Sequence, residues 1–139
     1  MRNTGIIFFT TFFFDQGIKA IARTYPTRWE GTFFRITENR GIAFSIPIPR
    51  ALFWILFIVA IFFFMRLART SMRMHNTKNL FFLGLILGGG FSNALDRFRF
   101  GAVTDIFALP GGLLFNIADI AIVIGLFFLF LLCPVTKHH

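Results

Sequence analysis

The sequence predicts an all-α membrane protein: four transmembrane helices with a small extracytoplasmic β-element between the first and second. Three observations predict it. Of the 139 residues, 56% are hydrophobic and 23 are Phe, and mean hydropathy is +0.74, whereas soluble domains average about 45–50% apolar even with Gly counted. The apolar residues gather into four runs, each near the ~20 residues that cross about 30 Å of hydrocarbon. Most cations fall between the runs, as in loops that hold a membrane protein against anionic lipid. At this length a single domain over 1–139 is expected.

The first run covers 5–22, after a minimal basic start at Arg2. Asp15 and Lys19 interrupt it, which argues for a retained helix rather than a cleaved signal peptide. The second covers 51–67 and carries no charge before Arg66. The third covers 80–95, with Gly84, Gly88, Gly89 and Gly90 along it, a pattern that lets helix backbones approach closely in lipid. The fourth covers 113–133 and ends at Pro134.

Between the first two runs, the extracytoplasmic segment 23–50 has strand-like composition over 32–37 and is punctuated by Pro26, Pro47 and Pro49. The short 66–78 loop concentrates Arg66, Arg69, Arg73 and Lys78. The positive-inside rule therefore puts it, and both termini, in the cytoplasm. The opposite face carries Arg23, Arg28, Arg35, Arg40, Arg50, Arg97 and Arg99, so charge density rather than a plain count favours this orientation.

The net charge of +8 does not point to nucleic acid. No basic stripe interleaves with exposed aromatics, and runs such as 12–14 and 62–64 read as lipid-facing Phe. The single Cys133 excludes an internal disulfide and a multi-cysteine metal site, and reads as a buried thiol. His75, His138 and His139 have no metal-ligand spacing within one helix. No metal is expected.

The candidate chemistry lies in Asp105, within Gly101-Ala102-Val103-Thr104-Asp105, and Asp119, within Phe115-Asn116-Ile117-Ala118-Asp119. Both sit at edges of apolar runs, where an ionisable group costs about 2.5–3.5 kcal/mol on insertion scales and is a functional candidate by default. Both also fall on one side of the membrane, because only 98–112 separates the third run from the fourth. Paired carboxylates there would share a proton, one activating water and the other protonating a leaving amine. The alternative is that each forms its own salt bridge, to Arg97, Arg99 or Arg40. Asn116 can donate to a carboxylate and orient it. Asn93, Asp96 and Arg97 fall on one helical face by spacing. Asp96 and Arg97 form either an ion pair with each other or a support for the site. Asp15 and Lys19, four residues apart, read as a mutual ion pair that ties helix ends together.

Five motifs in order resemble those of the bacterial signal peptidase II family. They are Asp15-Gln16-Gly17-Ile18-Lys19, the stretch from Asn39 to Ser45, Gly89 to Arg97, Gly101 to Phe107, and Phe115 to Asp119. The resemblance implies four transmembrane helices with cytoplasmic termini, an extracytoplasmic β-cradle, and a location in the bacterial inner membrane. It implies an aspartic endopeptidase, with no metal or cofactor, that cleaves a diacylglyceryl-modified prolipoprotein before the lipidated cysteine. Asp105 and Asp119 would be its catalytic dyad. Asn39, Asn93, Arg97 and Asn116 would support the dyad or hold substrate, and Asp15, Lys19 and Asp96 would be structural. Membrane lipids are expected partners, globomycin-type peptides expected inhibitors, and a monomer the expected state. Three departures from the family pattern are Ser92 in place of a Gly, Arg40 beside Asn39, and the short connection 108–114. A catalytically inactive lipoprotein-binding protein and a proton- or ion-conducting protein are the alternatives.

Overall fold

The computed structural model describes residues 2–26, 31, 33–41 and 46–132. Its elements are α1 (Arg2–Thr24), β1 (Phe34–Asn39), α2 (Arg50–Arg73), α3 (Thr77–Phe100), β2 (Val103–Ala108), β3 (Leu114–Phe115) and α4 (Ile117–Leu132). Residues 42–45 of the second motif, together with Arg28, Cys133, Pro134, His138 and His139, lie outside the described residues.

The helices run past the apolar stretches that predict them. An apolar run marks the depth that suits lipid, whereas backbone hydrogen bonding continues until a cap ends it. α3 begins where the Asn76 side chain accepts the Asn79 N–H at 3.1 Å, satisfying a donor that has no partner within the helix. It ends at Gly101, whose φ of 73° is left-handed and whose N–H bonds Arg97 O at 3.1 Å. Asp96 and Arg97 are therefore helical residues of α3.

α3 is the central element and packs mainly against α1 and α4, with α2 resting on its outer side. Helices in lipid gain little from hydrophobic burial against each other, so close van der Waals approach matters. A Cβ on Gly88 would lie 2.7 Å from Phe8 O of α1, and one on Gly89 would lie 2.6 Å from Ala118 O of α4. Adjacent glycines thus seat two different neighbours. Leu83 and Ile86 of α3 meet Leu129 of α4 in a small core, flanked by Phe64 and Leu67 of α2. The apolar window of α2 buries none of its residues, and Phe62, Phe127 and Phe130 are 71%, 61% and 73% exposed.

Two expectations are corrected. The β-structure is not confined to the segment between the first two helices: β1 pairs antiparallel with β2, and β2 with β3, in the order β1-β2-β3. A lone strand leaves a row of unpaired backbone groups, and its partner here comes from the connection between α3 and α4. Within that connection the 108–114 segment, judged short, is a hairpin turn between β2 and β3. Leu109 N–H bonds Leu113 O at 2.9 Å, and Gly111 and Gly112 take φ of 99° and 86°, which only Gly adopts readily.

The fourth run consequently starts as strand, and α4 begins at Ile117 rather than near 113. Two helices, over Thr4–Thr24 and Arg50–Arg73, are long and apolar enough to cross a membrane. α4 is a shorter apolar helix, and α3 carries glycines and polar residues through its length.

Candidate active site

Asp105 sits mid-strand in β2, opposite Thr37 of β1, and is 1% exposed. Its carboxylate takes one donor on each oxygen. Asn39 Nδ2, at the end of β1, donates to Oδ2 at 3.0 Å. Asn116 Nδ2 donates to Oδ1 at 2.8 Å. The Asn39 amide is itself oriented, because its Oδ1 accepts the Gly41 N–H at 2.9 Å.

Asn116 ends the hairpin and caps α4. Its Oδ1 accepts the Asp119 N–H at 3.0 Å, while Asp119 Oδ2 accepts the Asn116 N–H at 3.1 Å. This reciprocal pair has the geometry of a capping box. A carboxylate in the first turn also suits the positive end of the helix dipole. Asn93 Nδ2 of α3 donates to the other Asp119 oxygen, Oδ1, at 2.8 Å, and Lys19 Nζ holds Asn93 Oδ1 at 2.8 Å. Both aspartates are thus bound to the one Asn116 side chain.

A cleft of about 470 Å³ opens on this group, lined by the polar side chains of Asn39, Arg97, Asp105 and Asp119 and by apolar ones that include Leu113, Ile122, Val123 and Leu126. That size is within the range of small-molecule sites, about 300–1,000 Å³. Burial pushes the Asp105 carboxyl above its ordinary value, while the Asn39 and Asn116 hydrogen bonds and the charges of Lys19 and Arg97 pull the other way. A carboxyl that holds its proton beside one that does not can supply an acid and a base together.

The nine residues singled out in the sequence divide between two adjoining clusters. Asn39, Arg97, Asp105 and Asp119 line the cleft, and Asn93 and Asn116 bind its two aspartates. Asp15, Lys19 and Asp96 form a buried polar cluster behind it, with side chains 0–1% exposed. Lys19 Nζ lies 2.7 Å from Asp15 Oδ2 and 3.2 Å from Asp96 Oδ2. Asp15 Oδ1 accepts the Ala118 N–H at 2.9 Å, so an acid of α1 also caps α4.

Two spacing arguments are corrected. Asp96 does not pair with Arg97: it turns toward α1 and meets Arg23 at 2.8 Å as well as Lys19. Arg97 points the other way, donating to Gly41 O and, at 3.4 Å, to Asn93 O, with its guanidinium 4.6 Å over the Phe53 ring. Adjacent helical residues point about 100° apart, and here that difference assigns them to different clusters. Nor does either site aspartate form a salt bridge with Arg97, Arg99 or Arg40 among the described residues.

Sequence reasoning missed three members of the buried cluster. Gln16 donates to Ser92 Oγ at 2.8 Å and Asp96 Oδ1 at 3.0 Å. Ser92 Oγ donates to Asp15 Oδ2 at 2.6 Å, so the hydroxyl that departs from the family pattern is absorbed into the cluster. Arg23 also binds Thr104 Oγ1 of β2 at 2.8 Å. A polar residue inside an apolar run was the available signal for Gln16 and Ser92. Arg23 lies beyond the run and gave none.

A family model described as signal peptidase (SPase) II matches residues 7–134. Proteins named lipoprotein signal peptidase are similar to this chain. That of Helicobacter pylori is 34% identical over 129 residues, covering 86% of this chain and 78% of the relative. That of Caldicellulosiruptor bescii is 33% identical over 132 residues, covering 89% and 85%. The matches to the Syntrophomonas wolfei and Halothermothrix orenii proteins span 63% and 60% of those relatives' lengths, so there the chain spans about three fifths of the relative. Two solved structures described as bacterial membrane enzymes share the fold. One has a TM-score of 0.77 at 23% identity over 94% of this chain and 87% of that one. The other has 0.75 at 24% over 99% and 96%.

Proposed function

This chain belongs to the signal peptidase II family, and on that premise we propose that it is a membrane endopeptidase for diacylglyceryl-modified prolipoproteins. It cleaves immediately before the lipidated cysteine, with Asp105 and Asp119 as the catalytic dyad. The observation that carries this reading is the buried Asp105 carboxylate and the half-buried Asp119 carboxylate, joined through Asn116, in a cleft that is otherwise lined mostly by apolar side chains. The apolar lining suits acyl chains and the polar groups a peptide bond.

In the reaction, the ionised carboxylate of the dyad takes a proton from water as the oxygen adds to the scissile carbonyl carbon. The protonated partner donates to the carbonyl oxygen as it gains charge. Collapse of the tetrahedral intermediate breaks the C–N bond, and the cysteine amine leaves with a proton from the dyad. Water is thereby divided between a new carboxylate on the signal peptide and a new amino terminus on the lipoprotein. The two protons belong to the pair rather than to either residue. Asn39, Asn93 and Asn116 hold the carboxylates in register, and Arg97 lines the cleft for substrate.

The reading places four helices across the bacterial inner membrane, with both termini cytoplasmic and the sheet at the outer surface. α3, at 24 residues, is about 36 Å long at 1.5 Å per residue, long enough to cross. Its polar cluster faces α1 and α4 rather than lipid. The chain works as a monomer without metal or cofactor. Cleavage of a lipidated prolipoprotein by wild type, Asp105→Asn and Asp119→Asn in liposomes tests the dyad. Wild-type activity and its loss by about 10³-fold or more in each variant is expected. Full activity in either variant overturns the assignment.

A further inference from the structure

Arg97 also lines a second cleft, formed with Arg40, Arg50, Phe53 and Trp54 where the end of α3, the start of α2 and the end of β1 converge. Two of its three guanidiniums are held in place. Arg97 is fixed by Gly41 O and the Phe53 ring. Arg50 Nη2 packs against Gly101 so closely that a Cβ there would lie 2.9 Å away. Among the described residues neither Arg50 nor Arg97 has a carboxylate within salt-bridge distance, and Arg40 meets Glu38 at 4.0 Å, with both side chains largely exposed. The sequence offers few alternatives, since no Asp or Glu occurs between Glu38 and Asp96. Arg97 feels the charges of Asp119, Asp105 and Asp96 from the adjoining clusters. Three guanidiniums nevertheless converge here with no buried ion pair among them, which favours an anion, and the planar guanidinium fork matches phosphate oxygens.

The free space narrows the choice. It is about 50 Å³, against about 470 Å³ for the aspartate cleft, which suits a compact group such as a phosphate. Immediately along α2 the outward residues are apolar: Ile55, Leu56, Ile58 and Val59 are 58%, 50%, 50% and 59% exposed. Trp54, which lines the cationic cleft, immediately precedes that apolar stretch in α2, and Trp is enriched at membrane–water boundaries.

We propose that Arg40, Arg50 and Arg97 bind the phosphate of an anionic phospholipid whose acyl chains lie along the outer face of α2. The site rests on the membrane placement given above and not on the cleavage chemistry. It would fix a lipid, and with it the depth of the start of α2, beside the aspartate cleft.

The test is a thermal-shift titration of the purified protein in neutral detergent, with phosphatidylglycerol, phosphatidylcholine of the same chains, and inorganic phosphate. Saturable stabilisation by phosphatidylglycerol alone is expected. Arg40→Gln/Arg50→Gln should weaken its apparent affinity about tenfold or more, while Arg66→Gln/Arg69→Gln, with the same charge loss at the other end of α2, stays within about twofold of wild type. Should the double variant not be recovered, Arg40→Glu on its 83% exposed side chain must lower the affinity likewise. Equal weakening in the two double variants, equal stabilisation by phosphatidylcholine, or reproduction of the effect by inorganic phosphate overturns the proposal. Asp105→Asn should bind the lipid as wild type does, so failure of the dyad and failure of this site are read separately.

Discussion

Asn116 does two things that no carboxylate or apolar residue could do in its place. Its amide donates to the Asp105 carboxylate through Nδ2 and accepts the Asp119 backbone N–H through Oδ1, while its own backbone N–H binds Asp119 Oδ2, so one residue positions both acids. Asn93 is fixed in the same way, because the Lys19 ammonium can only donate and therefore turns Oδ1 toward itself and Nδ2 toward Asp119. The raised Asp105 carboxyl has a consequence for stability. A folded-state value above the ordinary 3.8 means that ionised Asp105 costs stability, a cost present above the folded value and lost as pH falls through it toward the ordinary value. The melting temperature of wild type should therefore rise relative to that of Asp105→Asn as pH falls through this window, and the difference should be flat above it. Differential scanning fluorimetry of the two proteins across pH 3.5–8 reads the sign, and a fall in the difference on acidification would contradict it.

At the level of elements, the start of α4 is the piece on which the site depends. It is capped by Asn116 from its own chain segment and by Asp15 from α1, and it lies against Gly89 of α3. Gly89→Ala forces a Cβ to within 2.6 Å of Ala118 O, which must push away the turn that carries Asp119. A cost of about 1–3 kcal/mol is expected from such overpacking, with lost activity. Gly90→Ala is the control: its nearest neighbour would be Phe57 at 3.9 Å, and replacing Gly within a helix gains roughly 0.5–1 kcal/mol. Melting temperatures should fall for the first and hold or rise for the second. The glycine run was legible in the sequence as a packing signal, and so was each of the four helices. The sheet was not, because β1 finds its partner about seventy residues on, in β2, and strand composition says nothing of a distant mate.

For the molecule as a whole, the arrangement is apolar outside and polar at one shared position inside. Lys19 is 0% exposed between two acids, and the cluster it holds joins α1, α3, β2 and the first turn of α4. Removing one member of a buried ionic group leaves its partners uncompensated, at about 3–5 kcal/mol. Lys19→Met should thus lower the unfolding free energy by that order and displace the Asp119 support. Arg23→Gln, at a side chain 26% exposed, should cost clearly less. Denaturation in detergent would compare them, and equal losses would assign the strength of the cluster elsewhere.

Hydropathy runs and short motifs are local patterns, so the class of the molecule, its four helices and the candidates near Asp105 and Asp119 could be read along the chain. That Asp96 belongs with Lys19 and Arg23 rather than Arg97 is a matter of how the helices pack. The same holds for Gln16 and Ser92, which bond across a separation of 76 residues, and for the hairpin that delivers Asn116 between the two acids. Local periodicity specifies which face a residue occupies. Which partner meets that face depends on how close the backbones come, and that is set by packing along the whole of α3.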